Sequence, residues 1–169
     1  MIENSLVLNR VQVVQGFAPV GLTTNAGTPV SLANYRRCLI VFIQAAADHT
    51  DVPTLTILQG TNVAFGTNKA LNFTDVYVKE ATALATVGQW THVTQSPGNT
   101  FTDATTGLQE RMWAVEFKAE DLDIENNYSC IKASIGEAGS NAAVGFLWYT
   151  LTDPYFAKKP EEMASAVVD

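Results

Sequence analysis

Arg111-Met112-Trp113-Ala114-Val115-Glu116-Phe117-Lys118 alternates in character with a period of two. Trp113, Val115 and Phe117 fall on one side, Glu116 and Lys118 on the other. That period belongs to a β-strand with one face in a core. The same reading extends outward along the chain. Arg37 to Gln44 is apolar on both faces, around the run Cys38-Leu39-Ile40-Val41-Phe42-Ile43, and reads as a central strand covered on two sides. Thr54 to Gln59 alternates Thr with Leu55 and Ile57, and Phe73 to Glu80 sets Thr74, Val76 and Val78 against Phe73, Asp75 and Tyr77. Gln89 to Gln95 places Trp90 and His92 opposite Thr91 and Val93. Tyr128 to Glu137 lines up Ile131, Ala133 and Ile135, and Ala142 to Leu151 sets Val144, Phe146 and Trp148 opposite Leu147, Tyr149 and Leu151. Leu6 to Gln15 alternates as well, with a phase shift between Leu8 and Val11 that suggests a bulge near Asn9-Arg10.

About eight or nine strands and almost no helical spacing predict an all-β chain. The expected architecture is a two-sheet β-sandwich, jelly-roll-like, with an immunoglobulin-like sandwich as the nearest competitor. Turn chemistry separates the strands, as in Asn25-Ala26-Gly27 and Asp123-Ile124-Glu125-Asn126-Asn127. Ala119-Glu120-Asp121-Leu122 suits a single helical turn. With 169 residues the chain makes one domain. Residues 1–152 are expected to form the sandwich, with Gly16 to Val30 a long loop because Gly16, Pro19, Gly21, Gly27 and Pro29 crowd into it. Residues 153–169 carry Pro154, Pro160 and mixed charges and read as an extended C-terminal arm.

Composition narrows the function. Charged residues are only 16% against 47% hydrophobic, so much of the surface must be uncharged or covered by another molecule. The net charge of −7 argues against a protein that grips nucleic-acid phosphates. The longest apolar run is six residues, too short for a membrane span. The first fifteen residues show no basic stretch followed by an apolar one, so the expectation is a protein made in a cytoplasm. Cys38 and Cys130 are then reduced and buried.

Catalytic constellations are sparse. Asp48-His49-Thr50-Asp51 groups a histidine with two carboxylates, a set that could hold zinc or manganese. It reads better as a polar turn. His92 lies in mid-strand beside Trp90, and no Gly-x-Ser-x-Gly elbow occurs. Glu120, Asp121, Asp123 and Glu125 cluster without calcium-loop spacing and read as a solvated connection. Trp113 and Trp148 are expected in the core, which leaves Trp90 for a surface contact. No enzyme activity, metal or cofactor is expected.

Several phrases carry a resemblance. Asn34-Tyr35-Arg36-Arg37-Cys38-Leu39-Ile40, Lys69-Ala70-Leu71-Asn72-Phe73-Thr74-Asp75-Val76-Tyr77, Ala119-Glu120-Asp121-Leu122-Asp123 and Leu151-Thr152-Asp153-Pro154-Tyr155 are among them. Together they resemble small structural proteins that tailed bacteriophages encode near their major capsid protein, above all the capsid decoration, or cement, proteins. The resemblance runs from about residue 30 to residue 160. It implies a β-sandwich clamped on the outside of an icosahedral shell, with the major capsid protein as partner and the virion exterior as location. It also implies a dimer or trimer about a local symmetry axis. Residues 1–5 and 153–169 would order on the shell. Contacts are expected from Phe17, Pro19 and Leu22 of the Gly-rich stretch, from Trp90, and from Pro154, Tyr155 and Phe156. The rival readings are a tail-tube or head–tail joining protein, a carbohydrate-binding sandwich with an aromatic platform, and a metal enzyme using Asp48, His49 and Asp51.

Overall fold

In the computed structural model, which describes residues 7–49, 53–103, 107–137, 143–156 and 159–168, the doubly apolar stretch sits where its composition demands. It is the middle of β4 (Tyr35–His49), which pairs with β10 (Gly107–Lys118) on one side and β12 (Val144–Pro154) on the other. β1 (Val11–Gly21), β7 (Phe73–Ala81) and β8 (Thr91–Gly98) complete a six-stranded antiparallel sheet in the order β1-β12-β4-β10-β7-β8. The second sheet is built on β11 (Cys130–Glu137) and β5 (Pro53–Gly60). β2 (Thr24–Ala26) and β3 (Val30–Ser31) share the outer edge of β11, and β6 (Asn68–Ala70) and β9 (Thr100–Thr102) share that of β5. The fold is therefore an all-β sandwich of two antiparallel sheets. Twelve strands are described rather than eight or nine, because β2, β3, β6 and β9 have only two or three residues each.

The core lies between the inward faces. Cys38, Ile40 and Phe42 of β4, Trp113, Val115 and Phe117 of β10, and Leu147, Tyr149 and Leu151 of β12 meet Leu55, Ile57, Ile131, Ala133 and Ile135 of the second sheet. Trp113 is the aromatic hub. Its ring lies 5.3 Å from that of Phe42 in its own sheet and 5.0 Å, edge to face, from that of Phe101 in the other. A buried hydrogen bond also joins the sheets through the core: the Ala133 N–H donates to the Tyr149 hydroxyl at 2.9 Å. Burial pushes the Tyr149 phenol up, so it stays neutral.

The Gly-rich segment is not a loop throughout. β1 continues through Gly16 and Pro19 to Gly21, with register shifts at Gln15/Phe17 and Phe17/Val20. A Cβ at Gly16 would collide with the Leu147 side chain and stand 3.0 Å from its carbonyl oxygen, so glycine lets the strand close on β12. Pro19 is tolerated because β1 is an edge strand. The expected bulge near Asn9-Arg10 is instead a 3-10 turn at Val7–Asn9, and the irregularity lies further along the strand. The turn at Ala119–Asp121 forms as expected, with the Asp121 carboxylate accepting from the Lys118 N–H at 2.7 Å.

Among the described residues the C-terminal segment makes a 3-10 turn at Pro160–Glu162 and folds back on the body. Ser31 N–H donates to the Ala166 carbonyl at 2.7 Å, Tyr35 Oη donates to that of Ala164 at 2.7 Å, and Ala166 is only 1% exposed. It is a strap, not a projecting arm. Residues 1–5 lie outside the described residues.

A charge is buried in the sandwich. Arg111, on the Trp113 side of β10, is fully buried, and its Nε donates to Glu80 Oε1 at 2.9 Å. Burial pushes the Glu80 carboxyl up, and the nearby Asp103 adds to this, while Arg111 and the Trp113 indole N–H pull it down. A carboxyl raised in the fold stabilises it at low pH, and that contribution is lost as pH rises through the raised value.

Two outcomes are expected. Tyr149→Phe leaves the Ala133 N–H buried without its partner and costs about 1–3 kcal/mol by denaturant unfolding. Glu80→Gln removes the titration, so the melting temperature of the variant minus that of the wild type increases between about pH 4 and about pH 7. Calorimetry checks the second; a difference that is flat or falling contradicts it.

Candidate functional site

The two sheets differ on their outward faces. The second sheet keeps the usual alternation, turning Thr54, Thr56, Lys132 and Ser134 outward. The first does not. Behind Cys38, Ile40 and Phe42 it turns Leu39, Val41 and Ile43 outward; behind Trp113 it turns Met112 and Ala114; and behind Leu147 and Tyr149 it turns Phe146 and Trp148. All twelve described strands belong to the two sheets, which meet on their inward faces, so no further strand layer covers these side chains among the described residues.

Strand register arranges this face in rows. The central row runs Gln15, Trp148, Val41, Ala114, Tyr77 and His92, one residue from each strand. On one side of it lie Phe146, Ile43, Met112 and Lys79, and on the other Val13, Thr150, Leu39 and Glu116. Large rings shield the small centre. Phe146 stacks on Trp148 at 5.2 Å, Tyr77 stacks on His92 at 5.0 Å, and Lys79 Nζ sits 5.0 Å from the Trp90 ring centre. His92 Nε2 lies 2.7 Å from Asp75 Oδ1. The Thr74 hydroxyl and then His92 hold the Asp75 carboxyl below its ordinary value. The apolar block spans four strands and three rows, about 400 Å² at sheet spacings. Val41 and Ala114 at its centre are buried, and Tyr77 at its edge is 43% exposed.

A second feature lies at the end of the sandwich where β4 begins. Arg10, Arg36, Arg37 and Lys118 line a cleft of about 760 Å³ with Ala119, Glu120, Asp153, Pro154 and Tyr155. Arg37 is bound to Glu116 at 3.1 Å and to Asp153 at 3.2 Å, Lys118 to Glu120 at 3.2 Å, and Arg36 covers the Tyr155 ring at 5.1 Å. Four cations against the two carboxylates Glu120 and Asp153 leave the cleft lining positive.

The residues singled out from sequence scatter. Trp90 is 42% exposed at the rim of the apolar face, where a contact residue belongs. Pro19 is exposed near the end of β1, and Phe17 is partly buried against the core. Leu22 is fully buried: its N–H donates to the Ala143 carbonyl and its side chain packs over Gly145, so it is a core residue and not a contact. Pro154, Tyr155 and Phe156 cluster at the cleft end, with Phe156 76% exposed. Trp113 is in the core as expected, but Trp148 is half-buried on the outward face. Both faces of β12 are apolar, so parity could not tell inside from outside. The signal for the outward face was present in β4, whose second apolar side demands cover.

The chemical candidates resolve into structure. Burial pushes the Cys38 thiol up, which leaves no nucleophilic thiolate there. Asp123 is held by Lys69 and Asn126, and Asp121 caps its own turn. No metal-holding group of three His, Cys, Asp or Glu side chains occurs among the described residues. The side chains of Asp48 and His49, and Asp51 as a whole, lie outside the described residues.

No family model matches the chain, and no curated protein matches it. Among solved structures the chain is similar to the SPBc2 prophage-derived protein YomS, with 9% sequence identity and a TM-score of 0.48. The match covers 85% of this chain and 93% of that one. A likeness this distant carries no inference about function.

The two faces of the first sheet should separate in unfolding experiments. Trp113→Ala costs about 3–5 kcal/mol because it opens the core. Trp148→Ala, on the outward face, costs about 1 kcal/mol. Equal costs would mean that the outward face is part of the core.

Proposed function

We propose that this chain is a structural virion protein that binds the outside of an icosahedral bacteriophage shell and stabilises contacts between capsid subunits, with no catalytic step. The carrying observation is the apolar outward face of the six-stranded sheet, over which no further strand layer lies among the described residues and at whose edge Tyr77 and Trp90 are exposed. The resemblance to capsid decoration proteins over most of the chain supports the same reading. So does the low charge content, which suits a protein covered on more than one side.

The physics is linkage. A protein that binds only the closed lattice stabilises it by about 2.7 kcal/mol per site at a concentration a hundred times its Kd. Rigidity helps, because a body pre-formed by two packed sheets has little entropy left to lose on binding. Quantitative mass spectrometry of purified virions tests the reading. Hundreds of copies per particle are expected for shell decoration, whereas about a dozen would place the chain in a ring at the neck or tail and overturn it.

One observation favours a second reading. Trp148, Tyr77 and Trp90 set aromatic rings along one sheet face, the arrangement a carbohydrate-binding sandwich would use. On that reading a glycan array gives specific binding that is lost in Trp90→Ala.

A further inference from the structure

We infer that the cleft at the end of the sandwich where β4 begins, together with an apolar hollow beside it, binds a short acidic peptide segment of another protein. The carboxylates of the peptide go to the arginines and one apolar side chain goes to the hollow. The inference goes beyond the capsid reading: it uses a different part of the molecule from the outward sheet face, and it holds whichever protein supplies the peptide.

Strand register gathers the cations. Val11 pairs with Thr152, Thr152 with Arg37 and Arg37 with Lys118, so one end of four adjacent strands lies in a single row. Arg10 directly precedes Val11, and Arg36 directly precedes Arg37. Consecutive residues of a strand point to opposite faces, so Arg36 and Arg37 reach the cleft from the two sides of β4. Four of the ten Lys and Arg side chains therefore line one cleft, in a chain whose net charge is −7. They are unequally engaged. Arg37 is held by Glu116 and Asp153, and Lys118 by Glu120. Arg10 and Arg36 are exposed and have no carboxylate within ion-pair distance among the described residues; Arg36 lies over the Tyr155 ring. Each guanidinium presents a planar fork of donors that fits a carboxylate with two bonds at once.

The hollow adds a second requirement. It measures about 150 Å³ and shares Ala119 and Tyr155 with the cleft. Leu32, Leu122, Ile124 and Tyr128 complete most of its wall, leaving room for one large apolar side chain. Ile124 is 59% exposed and Tyr155 48%, so filling the hollow removes apolar surface from water.

Together the two parts select among anions. A nucleic acid would bring a long run of phosphates against a chain of net charge −7. A phosphate ion would use the cleft and leave the hollow empty. A peptide uses both, because its backbone joins side chains of both kinds. Glu120 and Asp153 already set carboxylates on cations of the cleft. Exposed pairs of this kind are weak, so an incoming carboxylate can replace them.

Fluorescence anisotropy of a labelled pentapeptide, Asp-Glu-Phe-Glu-Asp, titrated with the full chain at about 100 mM salt tests this. A Kd of about 10–100 µM is expected. Alanine in place of the peptide's phenylalanine weakens binding about tenfold, because the hollow is no longer filled. Arg10→Ala and Arg36→Ala each weaken it about fivefold, with circular dichroism unchanged. Asp153→Asn is the sharper variant: it removes the carboxylate that competes for Arg37 and tightens binding about threefold. Asparagine tolerates the φ of 54° at that position, so the fold is kept. No saturable binding, no gain in Asp153→Asn, or equal binding of the alanine peptide would overturn the inference. So would inorganic phosphate that displaces the labelled peptide as well as unlabelled peptide does at the same concentration. Co-sedimentation with empty shells, run beside it, separates this from the functional reading. A chain that binds the peptide and ignores shells sinks only the capsid role, and one that binds shells but not the peptide sinks only this inference.

Discussion

The side-chain alternation of β4 and β10 commits both faces of one sheet at once, and the rest of the molecule follows from that constraint. Placing Ile40, Phe42 and Trp113 in the core forces Leu39, Val41, Ile43 and Met112 out on the other side. A one-residue slip would exchange the two sets and turn Arg37, Glu116 and Lys118 inward. The register is therefore fixed by the charges at the β4–β10 end as much as by the apolar centre, and the Arg37–Glu116 pair stands at that end.

The chain answers this constraint unequally in its two sheets. The second sheet turns mainly Thr, Ser and Lys outward, with Leu58 among them and the Phe65 ring packed near Gly60 and Lys132. The first uses rings and branched aliphatics outward, and the large side chains Trp148, Phe146 and Tyr77 crowd over Val41 and Ala114 until these are nearly as buried as the core. The cations and carboxylates at the rim, Lys79, Asp75, Glu110 and Lys118, confine the apolar block.

Much of the fold was legible in the sequence, and the reasons it failed elsewhere are physical. Period-two alternation placed β5, β10 and β11 with their correct inward residues, because Thr54 and Thr56, Glu116 and Lys118, and Lys132 and Ser134 mark the outward side of each. It could not orient β12, where Phe146 and Trp148 oppose Leu147, Tyr149 and Leu151 and both sides are apolar. The Gly16–Val30 stretch looked like a loop because its glycines and prolines read as breakers. The partner that turns them into an edge strand is β12, more than a hundred residues away, and no local pattern reports it. Leu22 was lost for the same reason, since Ala143 and Gly145 bury it. The strap was read as an arm because only the distant Ser31 and Tyr35 hold it. Of the expected contact residues, Trp90 alone falls on the apolar face; it is the tryptophan with polar neighbours on both sides, Gln89 and Thr91.

The central claim is that the outward face of the six-stranded sheet exists to be covered by protein. Oxidative footprinting reads it directly, by comparing Met112, Tyr77, Phe146 and Trp148 in dilute free protein with the same residues in intact virions. The account predicts ready oxidation in the dilute protein and strong protection in the particle, with Thr54, Thr56 and Lys132 on the opposite sheet as the reference for general shielding. Equal oxidation of the four residues in both states would contradict it.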